Sequence, residues 1–443
     1  FEKIEENPGY AGWLIDPDLR IRGGFAMTED GGAVITVRDL ETGKDEPWLE
    51  IAPEDIATTY IAGLSRDGSV AYMISSVGVN AARLLRVDLA TKAETVLAED
   101  PAFDVAGVIT DPETLEPQSV VFLKDREEWV HLDPELGAEI DALRARLRGE
   151  VSISRSERSD RRWLVSDMPA DGPVHYHVYD RDSGELTFLF AHKPALDEYE
   201  LAPMEAFTFT ARDGLTVHGY LTFPPEVAPS GLPAVLNVHG GPWVRDTWGY
   251  DPEAQWLANR GYVCVQVNFR GSSGYGKAFG NAGDKEWGRA MHADLVDAVE
   301  HLVDRGVIDP ERVGIYGGSY GGYAALAGAA FTPDVFRCAV DMVGPSNLLT
   351  LLASVPEYWK PQIAFMHTKV GNPETERDML WERSPLSKVD SIRIPVLVAQ
   401  GKNDPRVKVA EAEQIVGPLV PAQAANVNPF SGRLDIVVTA KIT

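Results

Sequence analysis

The stretch that most narrows the folds open to this chain is Gly317-Gly318-Ser319-Tyr320-Gly321-Gly322. The run RVGIY before it, at 312–316, reads as a short buried strand, and the alanine-rich run at 323–330 reads as a helix. A G-x-S-x-G sequence at a strand-to-helix turn is a nucleophile elbow. The turn is sharp, its serine takes a strained backbone, and side chains two residues to either side would collide. The same turn aims the backbone N–H after the serine at the place where an oxyanion develops. Ser319 is therefore the candidate nucleophile and Tyr320 a candidate oxyanion donor. A bare G-x-S-x-G also arises as an incidental glycine-rich turn; the flanking strand and helix favour the functional reading.

At 443 residues the chain has room for two or three domains, and its charge narrows the partners. With 41 Lys and Arg against 67 Asp and Glu, the formal net charge is −26, which argues against nucleic acid or an anionic membrane surface. No apolar run reaches the length of a membrane span and no signal peptide is visible, although the chain starts at Phe1 rather than methionine. Cys264 and Cys338 each sit in an apolar, strand-like run and read as reduced, buried core residues. Two such cysteines make neither a disulfide framework nor a metal site. The compartment favoured is the cytoplasm, and nothing in the sequence fixes an oligomeric state.

Residues 1–200 carry short alternating strands separated by polar turns, such as AVITV at 33–37 and SVVFL at 119–123. A strand ending in Asp, then a small turn and another strand, recurs around Asp39, Asp88, Asp133 and Asp180, spaced by 49, 45 and 47 residues. Periods in the forties with several strands each mark β-propeller blades, so this region is predicted to be a partial propeller of about four blades. The recurring Asp reads as a turn-former with no chemistry. Closed propellers most often have more blades, so further blades are expected ahead of this stretch. The segment 139–148 is helix-like and reads as an insertion between strands; Glu127-Glu128 could hold a substrate's terminal amine, and the reading favoured is a solvated edge.

From Met204 the pattern changes. Strands flank Arg212-Asp213-Gly214, a hairpin signal. Strands are then predicted at 234–239, 262–268, 312–316, 338–343 and 395–400, alternating with helices at 253–259, 287–305, 320–331 and 409–416. Such alternation implies a mostly parallel sheet covered by helices, here an α/β-hydrolase domain at 201–443, with reactive groups at the carboxyl ends of its strands. His239-Gly240-Gly241-Pro242 follows one strand and suits the loop that gives the second oxyanion donor, taken as the N–H of Gly241. His239 is expected to anchor that loop rather than act as base. Asp404, in Asn403-Asp404-Pro405 after the last strand, is placed to orient an imidazole in the order Ser, Asp, His. Tyr323, Tyr358 and Trp359 could line an apolar pocket, and they could equally be core.

These motifs, with Asn268-Phe269-Arg270-Gly271-Ser272-Ser273-Gly274-Tyr275-Gly276, resemble the catalytic domain of the prolyl oligopeptidase family of serine peptidases over about residues 204–416. The acylaminoacyl peptidase and dipeptidyl peptidase branches are the nearest. The resemblance implies a propeller over the active site and hydrolysis of short peptides or acyl-peptides through an acyl-enzyme. It gives Ser319 as nucleophile, Asp404 as orienting acid, Tyr320 and Gly241 as oxyanion donors, and no metal or organic cofactor. Arg270 is expected to be a structural ion-pair partner. A carboxylesterase of the same fold is the alternative enzyme.

The chain departs from that family at its base. The nine histidines, 131, 175, 177, 192, 218, 239, 292, 301 and 367, all precede Asp404. The resemblance fades after about residue 416, where Pro418 and Pro421 are expected to stop the helix. The tail at 435–443 reads as a strand without a base. Three readings stay open: a fragment of an active peptidase with an altered C-terminus, substitution by His239 or His367, or a catalytically dead binding protein that kept the fold. The first is favoured.

Overall fold

Alternating apolar residues and Asp-containing turns build four small antiparallel meanders in the first two hundred residues. The computed structural model describes residues 3–39, 42–155, 159–355 and 363–425. The first sheet is Gly12–Ile15 (β1), Ile21–Met27 (β2), Ala33–Arg38 (β3) and Asp45–Ile51 (β4). The second is Tyr60–Leu64 (β5), Val70–Ser75 (β6), Arg83–Asp88 (β7) and Glu94–Ala98 (β8). The third has three strands, Val105–Thr110 (β9), Pro117–Leu123 (β10) and Glu127–His131 (β11), followed by the helix Pro134–Arg144 (α1). The fourth is Glu150–Ser154 (β12), Arg162–Met168 (β13), His175–Asp180 (β14) and Glu185–Ala191 (β15). This is the propeller-like arrangement of about four blades that the repeat predicts.

The recurring Asp makes the same turn in three places. Asp39 accepts the N–H of Thr42, Asp88 those of Ala90 and Thr91, and Asp180 that of Ser183. Asp133 differs, because no strand follows it. It caps α1, accepting the N–H groups of Glu135 and Leu136, with Pro134 in the first turn. The helix takes the fourth strand's place, with Leu136, Ile140 and Leu143 packed on Trp163 of the fourth sheet. Glu128 is exposed and paired with Lys124, as a solvated edge should be, but Glu127 turns into a cavity.

The remaining strands are Met204–Thr210 (β16), Thr216–Thr222 (β17), Leu232–Val238 (β18), Val263–Asn268 (β19), Ile308–Gly318 (β20), Cys338–Met342 (β21) and Val396–Ala399 (β22). They form one sheet in the order β16-β17-β19-β18-β20-β21-β22. The β16–β17 hairpin is antiparallel and β18 to β22 are parallel, as right-handed β-α-β units require. The helices are Pro252–Asn259 (α2), Gly276–Asn281 (α3), Ala290–Asp304 (α4), Tyr320–Phe331 (α5), Leu348–Ala353 (α6), Ile363–Lys369 (α7), Arg377–Glu382 (α8) and Val409–Ala425 (α9). Among the described residues no helix is long and apolar enough to cross a membrane.

Two sequence expectations fail here. Pro418 and Pro421 do not stop α9, which runs to Ala425. Each proline forfeits one backbone hydrogen bond, but Ile415 and Leu419 are buried in the main core and hold the helix down. Cys264 is buried in β19 as expected, whereas Cys338, the first residue of β21, is exposed. The tail at 435–443, Tyr358 and Trp359 lie outside the described residues.

The four small sheets rest on the hydrolase through equivalent loops, each joining the second strand of its sheet to the third. Gly31 of the first lies against Ala364 and Thr368 of α7. In the second, Ser76 and Asn80 accept from Lys277 and Ala278. In the third, the carbonyls of Leu123 and Lys124 accept from Arg245 at 2.6 and 3.0 Å. In the fourth, Ala170 accepts from Gln255 at 2.9 Å.

Candidate active site

β20 runs straight into α5, and Ser319 is the hinge residue. It is exposed, with φ +58° and ψ −115°, a left-handed backbone that a serine adopts only under constraint from its surroundings. Its N–H donates to the carbonyl of Met342 at 2.8 Å and its carbonyl accepts from Tyr323 at 3.0 Å. A Cβ at position 317 would lie 2.5 Å from the Val238 oxygen and 2.7 Å from the Gly321 Cα, and one at position 321 would strike the same oxygen. At position 318 the nearest atom is 3.9 Å away. The elbow thus demands glycine at the two outer positions and not at the one beside Ser319.

Tyr320 opens α5, so its N–H is one of those a helix leaves unpaired. Its ring is buried between Phe269, at 5.1 Å, and Trp287, at 4.6 Å, which pins the first turn. The His239–Pro242 loop leaves the end of β18 and lies on the elbow: a Cβ on Gly240 would be 3.1 Å from the Gly318 oxygen and 3.5 Å from the Ser319 Cβ. Gly241 is exposed at φ +110°.

His239 anchors this loop. Its Nδ1–H donates to the Gly240 carbonyl at 2.8 Å, and the Ser272 hydroxyl lies 3.0 Å from Nε2. The ring stacks on Phe269 at 4.5 Å, and burial lowers its pKa to about 4, so it is neutral and both nitrogens are engaged. His367 sits half-buried on α7. No hydrogen bond joins any histidine to Ser319 or Asp404 among the described residues.

Asp404 follows β22, two strands along from β20, at the same carboxyl edge as Ser319. Two strand spacings amount to about 10 Å, too far for direct contact between the two side chains. The Asp404 carboxylate closes its own turn, accepting the N–H groups of Arg406 at 2.8 Å and Val407 at 3.0 Å. Gln400 braces the loop through the Val407 carbonyl at 2.8 Å.

Sequence reasoning missed a second acid, directly beneath the elbow. Asp341 on β21 is 1% exposed; its Oδ1 accepts from Gly344 N–H at 2.8 Å, and its Oδ2 has no partner. A side chain on Gly322 or Gly344 would collide with this carboxyl. Burial, reinforced by the nearby Glu411 charge, pushes its pKa up to about 8. The one available signal was an Asp inside a strand that is otherwise apolar.

Other expectations find their places. Arg270 is a buried structural partner, bonded to Asp294 at 2.7 and 2.9 Å and to Asp213 at 2.7 Å. The segment after it clasps the propeller: Gly276 N–H donates to Asp104 at 3.1 Å, and Lys277 pairs with Asp55 at 2.7 Å. Tyr323 is core, its hydroxyl donating to the Arg383 carbonyl at 2.8 Å.

Comparison with known proteins agrees with this architecture. Residues 248–430 match the model of the prolyl oligopeptidase family. The chain is 43% identical over 423 residues to dipeptidyl aminopeptidase BIII of Pseudoxanthomonas mexicana, covering 93% of this chain and 61% of that protein. It is 42% identical over 282 residues to dipeptidyl peptidase family member 6 of Caenorhabditis elegans, covering 58% of this chain and 38% of that one. A puromycin-hydrolyzing peptidase of Mycobacterium tuberculosis superimposes with a TM-score of 0.76 at 23% identity, over 94% of this chain and 64% of the other, which establishes the shared fold. The chain therefore matches 61%, 38% and 64% of the lengths of these three proteins, in each case less than two thirds. Its hydrolase region, residues 248–430, belongs to the prolyl oligopeptidase family.

Proposed function

We propose that this chain carries the acyl-transfer machinery of a serine peptidase acting on short peptides or acyl-peptides, in a form impaired by the lack of a triad base. Ser319 is the nucleophile: its Oγ bonds to the scissile carbonyl carbon, and the Tyr320 and Gly241 N–H groups stabilise the oxygen that becomes negative. Asp404 is the orienting acid for an imidazole that takes the Oγ proton and passes it to the leaving amine. The observation that carries this reading is the exposed Ser319 at φ +58° with Gly240 lying against it. The peptidase names of the relatives support the substrate class.

A second reading is a catalytically dead binding protein. It is favoured by the histidines of the described residues, none of which is hydrogen-bonded to Ser319 or Asp404, His239 being held instead by Gly240 and Ser272. Without its base a serine hydrolase keeps about 10³–10⁴-fold acceleration over water from binding and the oxyanion hole.

A fluorophosphonate probe tests the proposal. Weak or no labelling of this chain is expected, with strong labelling once a C-terminal segment bearing the histidine is appended, and loss of that label in Ser319→Ala. Rapid stoichiometric labelling of Ser319 in the chain as it stands would eliminate the dead reading. Labelling that survives Ser319→Ala would sink the nucleophile assignment. Relative rates of the extended chain on aminoacyl anilides and simple acyl esters then separate peptidase from carboxylesterase.

A further inference from the structure

Ser319 is not the only strained residue at this edge of the sheet. Among the described residues eight non-glycines take a positive φ, and Val343, at +53°, is the one with a β-branched side chain. A left-handed backbone crowds Cβ against the following carbonyl, so a valine adopts it only where its surroundings leave no alternative. Val343 comes directly after β21, and Met342 before it supplies the carbonyl that accepts the Ser319 N–H at 2.8 Å. The two strained residues are thus joined through one peptide and one hydrogen bond.

Three restraints hold the Val343 turn. Its own N–H donates to the carbonyl of Ala399, at the end of β22, at 2.8 Å. The following N–H, of Gly344, donates to Asp341 Oδ1, also at 2.8 Å. Gly344 is buried against the first turn of α5, where a Cβ would lie 2.4 Å from the Gly322 carbonyl carbon and 2.5 Å from the Tyr323 nitrogen. Glycine at position 343 would meet all three restraints without strain, and would leave the turn freer to move. The branched Cβ of valine narrows the φ and ψ open around that point and keeps the turn in one place. Strain of this kind gathers at active sites, where it holds groups in a reactive arrangement.

We propose that Val343 is a positioning residue for Ser319: its branched side chain on a left-handed backbone fixes the Met342 carbonyl, which in turn fixes the Ser319 N–H and the elbow around it. The chemical meaning of this link rests on the reading of Ser319 as the nucleophile.

Hydrogen exchange of the whole chain, read at the Ser319 amide by fragmentation mass spectrometry, tests the link without requiring activity, with thermal melting measured alongside. In Val343→Gly the Ser319 N–H is expected to exchange about tenfold or more faster than in the wild type. The amides of β18 and β19 should be unchanged, and the melting temperature should not fall below that of Val343→Ala. Val343→Thr keeps the branched Cβ and should keep wild-type protection. Should Val343→Gly fail to fold, Val343→Asn, a residue that tolerates left-handed backbone, takes its place. Unchanged exchange at Ser319, or faster exchange spread evenly over the sheet in step with a lower melting temperature, overturns the proposal. Fluorophosphonate labelling of the histidine-bearing extended chain should slow about tenfold in Val343→Gly and not in Val343→Thr. If exchange responds but no variant labels at Ser319, the peptidase reading fails alone; if Ser319 labels at one rate in every variant, the positioning role fails alone.

Discussion

Replacing Asp341 by Asn should abolish a pH dependence of stability that this one carboxyl imposes. Its pKa rises from 3.8 to about 8, because the group is almost fully buried and faces the Glu411 charge, effects that outweigh the single hydrogen bond from Gly344. A group held above its unfolded value binds its proton more tightly in the folded state. Its contribution is therefore complete below about pH 4 and is lost as pH climbs through about 8. Each pKa unit is worth about 1.4 kcal/mol, so about 4 units give an effect of about 5 kcal/mol in full. Between about pH 5 and about pH 8 the loss is about 3.5 kcal/mol, or about 10 °C in the melting temperature of a domain of this size. Asn keeps the oxygen that accepts from Gly344, and any cost of its amide is the same at every pH. Scanning calorimetry of both proteins across that range, at fixed ionic strength, should show the Asn variant gaining on the wild type by that amount. Melting curves that shift in parallel with pH would refute the argument, whatever their offset.

The elbow predicts a graded glycine series. Gly321→Ala and Gly317→Ala should each cost about 3 kcal/mol or more by thermal melting, whereas Gly318→Ala, with its nearest atom 3.9 Å away, should be nearly neutral. Asp294→Asn should cost about 3–5 kcal/mol, because it leaves Arg270 buried with its paired charge removed; a near-neutral result in urea unfolding would show that Asp213 suffices. Lys277→Met removes the pair with Asp55 and the bond to Ser76, and should cost about 1–3 kcal/mol and speed limited proteolysis between the second sheet and the hydrolase.

What the sequence revealed was local. The strand before Ser319, the glycines around it and the helix after it are specified by consecutive residues, so the elbow was readable, and the turn at Asp404 for the same reason. The Asp repeat was readable because one short turn recurs. It misled at Asp133, since the same carboxylate that closes a turn also caps a helix, and Pro134 with the apolar spacing of Leu136, Ile140 and Leu143 decides for the helix. The prolines of α9 misled in the opposite sense, tertiary packing of Ile415 and Leu419 outweighing two lost hydrogen bonds. Contacts such as Lys277 with Asp55, 222 residues apart, have no local signature. The buried state of Asp341 left only its apolar strand as a local signal, because beyond neighbouring Gly344 it depends on Gly322 and Glu411, which arrive from two other segments.

The loops that seat each small sheet on the hydrolase carry a consequence for how such molecules tolerate change. Every blade stands on its own foot, and each foot meets a different hydrolase segment: α7, the first turn of α3, Arg245, or Gln255. The attachment is distributed, like a table on several legs, rather than concentrated in one hinge. Weakening one foot should loosen one blade and leave its neighbours seated, so damage is expected to appear as a local gap beneath one small sheet and not as detachment of all four.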